Sequence, residues 1–234
     1  MCYNALEALR HTAYSVRGQR GADFEYIIVD GGSNDGTQTW LQAHADVADQ
    51  VLSERDKGIY DAMNKGAALA MGEWVLFLNA GDTFHSADTL AEITPMLRIA
   101  DEHTALVYGD ITRLRHGRTI VKIAEEPHNA HRMFFCHQAL FTRTHLLRNM
   151  PYDIAHPFSA DFKFVKMAYK RGVGMLHAPV VIANFDTGGV SSTRVNDGLK
   201  DNISVIRETD SWFNRLRFIP RLWARIIWNI IRCR

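Results

Sequence analysis

Ser53-Glu54-Arg55-Asp56-Lys57-Gly58-Ile59-Tyr60-Asp61-Ala62-Met63-Asn64-Lys65-Gly66 is the stretch on which the reading of this chain turns. It sets carboxylates, a glycine turn and an Asn-Lys pair ahead of an apolar run that ends in Asn79-Ala80-Gly81-Asp82. A second polar cluster lies upstream, Val29-Asp30-Gly31-Gly32-Ser33-Asn34-Asp35-Gly36-Thr37. Strands that end in Asp and Gly and run into helices are how open α/β sheets hold phosphorylated ligands, because a helix N-terminus presents free N–H groups. One such turn is a connection; three of them by residue 82 indicate a nucleotide site.

The surrounding pattern agrees. The run 24–29 reads as a buried strand, 36–44 as a helix, 50–54 as a short strand, 59–71 as a helix after Gly58, and 73–79 as a strongly apolar strand. A helix is expected over 86–98, and an earlier one from a cap at Asn4 to about 16. This alternation with short turns predicts a mostly parallel sheet flanked by helices, an α/β fold. Beyond 103 the pattern changes. Runs 105–114 and 119–123 flank His116-Gly117 as a hairpin, 137–141 reads as a strand, and 159–171 as a helix capped by Gly172. One or two strands broken at Pro179 are expected over 173–185, and a helix over 195–210. The expected division is a domain over 1–192, made of two halves at 1–103 and 104–192, followed by a helical tail at 193–234.

Composition narrows the class. The 234 residues are 47% hydrophobic and 23% charged, as in a folded globular protein. A net charge of +1 argues against a nucleic-acid binder. Three cysteines, Cys2, Cys136 and Cys233, have no metal-ligand spacing, and their odd number argues for a reduced, cytoplasmic setting. Met1 to Gln19 is amphipathic rather than apolar, so no signal peptide is expected, and there is no run of about 20 apolar residues to span a bilayer.

These motifs resemble family 2 glycosyltransferases, the inverting GT-A enzymes that use nucleotide-diphospho-sugars, and most closely those that build bacterial capsule, O-antigen and colanic-acid-type polysaccharides. Members read V-D-x-G-S-x-D-G-T, then S-E-x-D-x-G-I-Y-D-A-M-N-K-G, then F-L-N-x-G-D; this chain carries all three in order, and the resemblance runs from Cys2 to about Ser192. Relatives open on an apolar strand ahead of the segment matching Cys2-Tyr3-Asn4. Met1 stands where that strand ends, so the first strand is expected to be missing through a late start.

The resemblance implies roles. Asp82 is the metal candidate, for Mg²⁺ or Mn²⁺ that would offset charge growing on the departing diphosphate; the family's D-x-D is here reduced to Asn79 and Asp82, and a helix cap near Ser86 is the alternative for Asp82. Asp30 is expected to accept from the nucleotide base. Glu54, Asp56, Asp61 and Lys65 are expected to face the nucleotide-sugar, although Asp61 and Lys65 at i, i+4 also suit an ordinary ion pair. Asp161, in Ser159-Ala160-Asp161-Phe162-Lys163, matches the segment that carries the catalytic base; the alternative is a carboxylate favoured by the helix dipole. His137-Gln138 is expected to line the sugar or acceptor pocket, or His137 to be a buried, hydrogen-bonded histidine. Phe185-Asp186-Thr187-Gly188-Gly189-Val190-Ser191 resembles a late loop that folds over the diphosphate, or is a plain turn.

The tail carries six arginines and no acid from 211 to 234. Trp212, Leu216, Ile219, Trp223, Ile226 and Ile230 recur at helical spacing, with Arg217, Arg221, Arg225 and Arg232 opposite, and Pro220 either kinks the segment or starts a new helix. A basic amphipathic helix of this kind suits the inner face of a bacterial plasma membrane; packing on the domain or on a second copy is the alternative. The expected function is therefore sugar transfer from a nucleotide-diphospho donor, of UDP type, to a lipid-linked glycan. A nucleotidyltransferase and a non-catalytic membrane scaffold are the rival readings.

Overall fold

The computed structural model describes residues 1–115, 118–186 and 194–232. In chain order these form α1 (Leu6–Arg17), β1 (Ile27–Asp30), α2 (Thr37–Ala43), β2 (Gln50–Ser53), α3 (Ile59–Leu69), β3 (Trp74–Leu76), β4 (Thr83–Phe84) and α4 (Thr89–Ile99). Then come β5 (Thr104–Arg115), β6 (Arg118–Lys122), β7 (Leu140–Arg143), α5 (Thr144–Asn149), α6 (Ala160–Lys170), β8 (Gly174–Phe185), α7 (Val195–Thr209) and α8 (Trp212–Arg232). The α/β class agrees with the sequence. The sheet, however, is mixed. β1 runs parallel to β2 and β5 parallel to β8, whereas β3–β7, β5–β7, β5–β6 and β4–β8 are antiparallel. β6 and β7 return beside β5 without a crossover helix, which antiparallel pairing permits, whereas β8 reaches its parallel place beside β5 after α5 and α6.

Two layers of core follow from strand alternation. Along β5, Leu106 and Tyr108 face Tyr60 and Met63 of α3 and Phe164 and Val165 of α6. Val107 and Ile111 point the other way, toward Val16, Ile93, Phe141 and Ile182. β3 pairs with β7 and β4 with β8, so strands from either side of residue 103 share one sheet. β8 continues through Pro179: Tyr108 pairs with His177 and Asp110 with Val181, and the bulge between them absorbs the missing N–H. Residues 137–139, expected as strand, form a 3₁₀ turn that leads into β7. Asn4 does not cap α1; it accepts from Asn34 N–H at 2.8 Å, and Asp35 Oδ2 accepts the Leu6 N–H at 3.0 Å instead. The His116-Gly117 turn and residues 187–191 of the late loop lie outside the described residues.

Met1 and Cys2 bridge the end of β1 and the chain that follows β3. Cys2 N–H donates to Val29 O at 3.0 Å and Gly31 N–H to Cys2 O at 2.9 Å, on one side. On the other, the Met1 ammonium donates to Leu78 O at 3.0 Å and Ala80 N–H to Met1 O at 2.9 Å. Burial lowers the pKa of that ammonium. Ahead of Met1, β1 and β3 belong to separate sheets, and an apolar slot of about 160 Å³ lies between them, lined by Ile27, Ile28, Val29, Trp74, Val75 and Leu76 among others.

The tail is helical and docked. Phe218, Leu222 and Ile226 of α8 pack with Ile203, Val205 and Ile206 of α7 and Phe162 of α6. At the α7–α8 junction the buried Asp210 carboxylate meets Lys166 and Lys170 of α6, each at 2.7 Å. α8 passes through Pro220 without ending.

Filling the slot is expected to stabilise the protein. A void of 160 Å³ corresponds to as much as about 4 kcal/mol at roughly 24 cal/mol per Å³. A chain extended by five alternating apolar residues ahead of Met1 should therefore melt about 5 °C or more above the parent, with slower amide exchange in β1 and β3. An unchanged Tm and exchange pattern would show that the slot does not accept a strand.

Candidate active site

The loops at the C-terminal ends of β1, β2 and β3 meet around Met1 and Cys2, because Cys2 is hydrogen-bonded to the end of β1, Met1 to the chain that follows β3, and β2 runs beside β1. This places Asp30 and Gly31, the 53–58 turn, and Asn79 to Asp82 next to one another.

Asp30 is fully buried beneath the turn that follows it. Its carboxylate accepts from Ser33 N–H at 3.2 Å, from the Ser33 hydroxyl, and from the Ser53 hydroxyl at 2.6 Å. It thus ties β1 to β2, and the chain above it, Gly31-Gly32, forms one wall of an open cleft of about 590 Å³ with Tyr3, Asn34, Arg55 and Asp56. The cleft is of the size of small-ligand sites. The Asp56 carboxylate lies against Gly31, where a Cβ would sit 2.3 Å from its Oδ2. A side chain at position 31 would collide with Asp56. The rest of the acidic group is knitted internally. Lys65 Nζ stands 2.7 Å from Glu54 and 3.4 Å from Asp61, and Asp61 accepts the Lys57 N–H at 3.0 Å. That amide bond first, and Lys65 after it, hold Asp61 below the ordinary carboxylate range.

A row of polar side chains crosses from the first half of the chain to the second. Tyr60 of α3 donates to Asp161 Oδ1 at 2.8 Å. The other oxygen, Oδ2, accepts from His137 Nδ1 at 3.0 Å, and His137 Nε2 faces the Asn79 amide nitrogen at 3.2 Å. Asn79 N–H in turn donates to Asp82 Oδ2 at 3.2 Å, beside Gln138 Nε2 at 3.1 Å. Asp161 sits in the first turn of α6, where the helix dipole also favours an anion. Burial works to raise its pKa; the His137 contact, the Tyr60 hydroxyl and the Phe162 N–H outweigh it and hold the carboxyl below the usual range. Tyr60, pushed far up first by burial and then by Asp161, remains a neutral donor.

Asp82 is 2% exposed and caps no helix. Burial raises its pKa. Its Oδ1 accepts the Asp186 N–H at 2.9 Å, and the Asp186 carboxylate overlies Gly81, where a Cβ would fall 2.6 Å from Oδ2. Gly81 has φ +103°, a left-handed conformation that a side chain would strain as well. Thr12 of α1 fixes this turn from behind, accepting Gly81 N–H at 3.0 Å and donating to Asp82 O at 2.8 Å.

A profile of Glycosyl transferase family 2 matches residues 1–168. The chain belongs to that family. It is 34% identical to a Mycobacterium bovis protein named PGL/p-HBAD biosynthesis glycosyltransferase, over 93% of this chain and 82% of the relative. It is 31% identical to an uncharacterized glycosyltransferase of Mycobacterium tuberculosis, over 82% and 75%. Among solved structures, Staphylococcus aureus TarS (residues 1–349) in complex with UDP superposes with a TM-score of 0.66 at 16% identity, covering 95% of this chain and 69% of that one. A mannosyltransferase from Pyrobaculum calidifontis in complex with GDP-Man and Mn²⁺ gives 0.66 at 18%, covering 96% and 67%. These likenesses establish the GT-A fold, and family membership makes the protein a glycosyltransferase.

The residues at the Asp82 end of this family 2 site fit a divalent cation. Asp82 and Asp186 carry carboxylates here, and the buried Asn79 Oδ1 has no hydrogen-bond partner among the described residues. Oxygen donors of this kind suit Mg²⁺ or Mn²⁺. Asp153, His156 and Glu208 also converge, but Lys163 Nζ stands 2.6 Å from both carboxylates and 3.2 Å from His156 Nε2, so an ammonium already fills that centre. Three contributors were not assigned from the sequence. Tyr60 was visible in the motif without a role, Asp186 was read only as part of a glycine loop, and Thr12 carried no signal at all in its helix.

The Asp161–His137 contact has a measurable consequence. In a carbon-13 titration, the Asp161 carboxyl is expected to have its midpoint below the ordinary value near 4. His137→Ala removes the hydrogen bond that lowers it, so the midpoint should rise; a fall or no change would remove His137 from the environment of Asp161.

Proposed function

We propose that this family 2 enzyme moves a sugar from a nucleotide-diphospho donor of UDP type onto a hydroxyl of a lipid-linked glycan, with inversion, at the cytoplasmic face of the plasma membrane. The row Tyr60–Asp161–His137–Asn79–Asp82 carries this reading, since it puts an ionised carboxylate at one end and an oxygen-rich cation and phosphate seat at the other. The donor class is supported by fold neighbours solved with UDP, UDP-GlcNAc and GDP-Man. The acceptor class is supported by a relative named for PGL/p-HBAD biosynthesis and by the basic tail.

Asp161 takes the proton of the acceptor hydroxyl as its oxygen attacks the anomeric carbon. The bond from that carbon to the diphosphate breaks on the opposite face. Tyr60 and His137 hold the two carboxylate oxygens in place, so the base needs no reorientation during the step. Asp56, Arg55 and Tyr3 line the nucleotide cleft. A bound divalent cation held by Asp82, Asp186 and Asn79 would neutralise charge on the leaving diphosphate.

Asp161→Asn keeps the shape of the base and removes its basicity; transfer is expected to fall about 10³-fold or more with donor affinity retained. Asp82→Asn should weaken donor binding in the presence of Mn²⁺, read as loss of the thermal shift given by a nucleotide-sugar panel. Release of free nucleoside diphosphate supports transfer, and release of pyrophosphate refutes it. Near-normal turnover of Asp161→Asn would take the base role from that residue.

A further inference from the structure

The helix α8 has three faces, and only one of them is used by the protein. At 3.6 residues per turn its 21 residues extend about 30 Å. Phe218, Leu222 and Ile226 point into the domain and are 2–3% exposed. Next to them around the helix lies a second apolar stripe that points outward: Trp212 (71% exposed), Leu216 (65%), Trp223 (41%), Ile227 (55%) and Ile230 (50%). The third face carries Arg217, Arg221, Arg225 and Arg232. The expectation that Trp212, Leu216, Ile219, Trp223, Ile226 and Ile230 share one buried or one lipid-facing side is therefore corrected: Ile226 docks on α7, Ile219 packs half-buried against the same cluster, and the others face out.

We propose that the outward stripe of α8 inserts into the headgroup region of an anionic lipid surface while Phe218, Leu222 and Ile226 stay docked. Charge decides the occupant. Residues 211–234 hold six arginines and no acid, so a second copy of this face would bring like charge against like. An anionic bilayer offers apolar depth to the tryptophans and phosphate to the arginines flanking them. The helix lies along the surface rather than across it: no described helix is long and apolar enough to span a membrane. Because α8 is held by the domain, the stripe is a pre-set surface that needs no folding on contact, and the binding is expected to be independent of sugar transfer.

The test uses the full chain with sedimented vesicles. Binding to vesicles with roughly 30% phosphatidylglycerol should exceed binding to pure phosphatidylcholine by about tenfold or more, and about 0.5 M salt should abolish most of that difference. The substitutions Trp223→Ser with Ile227→Ser, and separately Arg217→Gln with Arg221→Gln and Arg225→Gln, should each lower binding about tenfold with unchanged Tm, since these side chains are exposed. Brominated lipid should quench tryptophan fluorescence in the parent, and Trp212→Phe with Trp223→Phe should remove most of the quenching. Equal binding of parent and both variants, or equal binding to charged and neutral vesicles, overturns the proposal. So does light scattering that shows a dimer in the parent and a monomer in Trp223→Ser with Ile227→Ser, because a second copy would then cover the stripe.

Discussion

The Asp161 carboxylate is shared by two donors from different parts of the chain, Tyr60 at 2.8 Å and His137 at 3.0 Å, and the active site is assembled around that sharing. Tyr60 belongs to the glycine-turned helix that follows β2; His137 belongs to the 3₁₀ turn before β7. Each contact satisfies one oxygen, so the carboxylate has one orientation and keeps its charge against the cost of burial. The same contacts bring α3 against α6, where Tyr60, Met63, Phe164 and Val165 form part of one core cluster. Packing and chemistry therefore depend on the same pair of helices.

Around this pair the carboxylates divide into two kinds. Asp30, Glu54 and Asp61 bond serines, lysine or backbone amides and give the loops their shape. Asp56 lines the open cleft, Asp161 is held between Tyr60 and His137, and Asp82 is buried and raised in pKa. A motif rich in Asp and Glu thus mixes carboxylates tied into the loops with one, Asp56, that lines the cleft. Only the partners in space tell them apart.

The glycine turns and the apolar strand before Asp82 made the first half of the fold legible, because strand and helix periods and turn chemistry are local. Asp161 and His137 were both named from sequence, and the structure joins them in one hydrogen bond. The mixed sheet was less legible, since whether β7 returns beside β3 depends on contacts between residues about seventy apart. Thr12 and Asp186 were hidden for the same reason: each acts on the Asn79 to Asp82 turn from a distant element, through one hydroxyl or one backbone amide. The tail was legible as basic and amphipathic. Which of its apolar residues dock was not, because two adjacent stripes merge into one at helical spacing.

Helix α6 carries Asp161 at its first turn and, along its flank, Phe162, Lys166 and Lys170 that grip α7 and the start of α8. The seam with the tail thus begins at the residue after Asp161 and runs to Lys170 along one helix. Without α8, Phe162 would lose the cover of Phe218 and Leu222, so the tail belongs to the packing of α6 as well as to the outer surface of the protein.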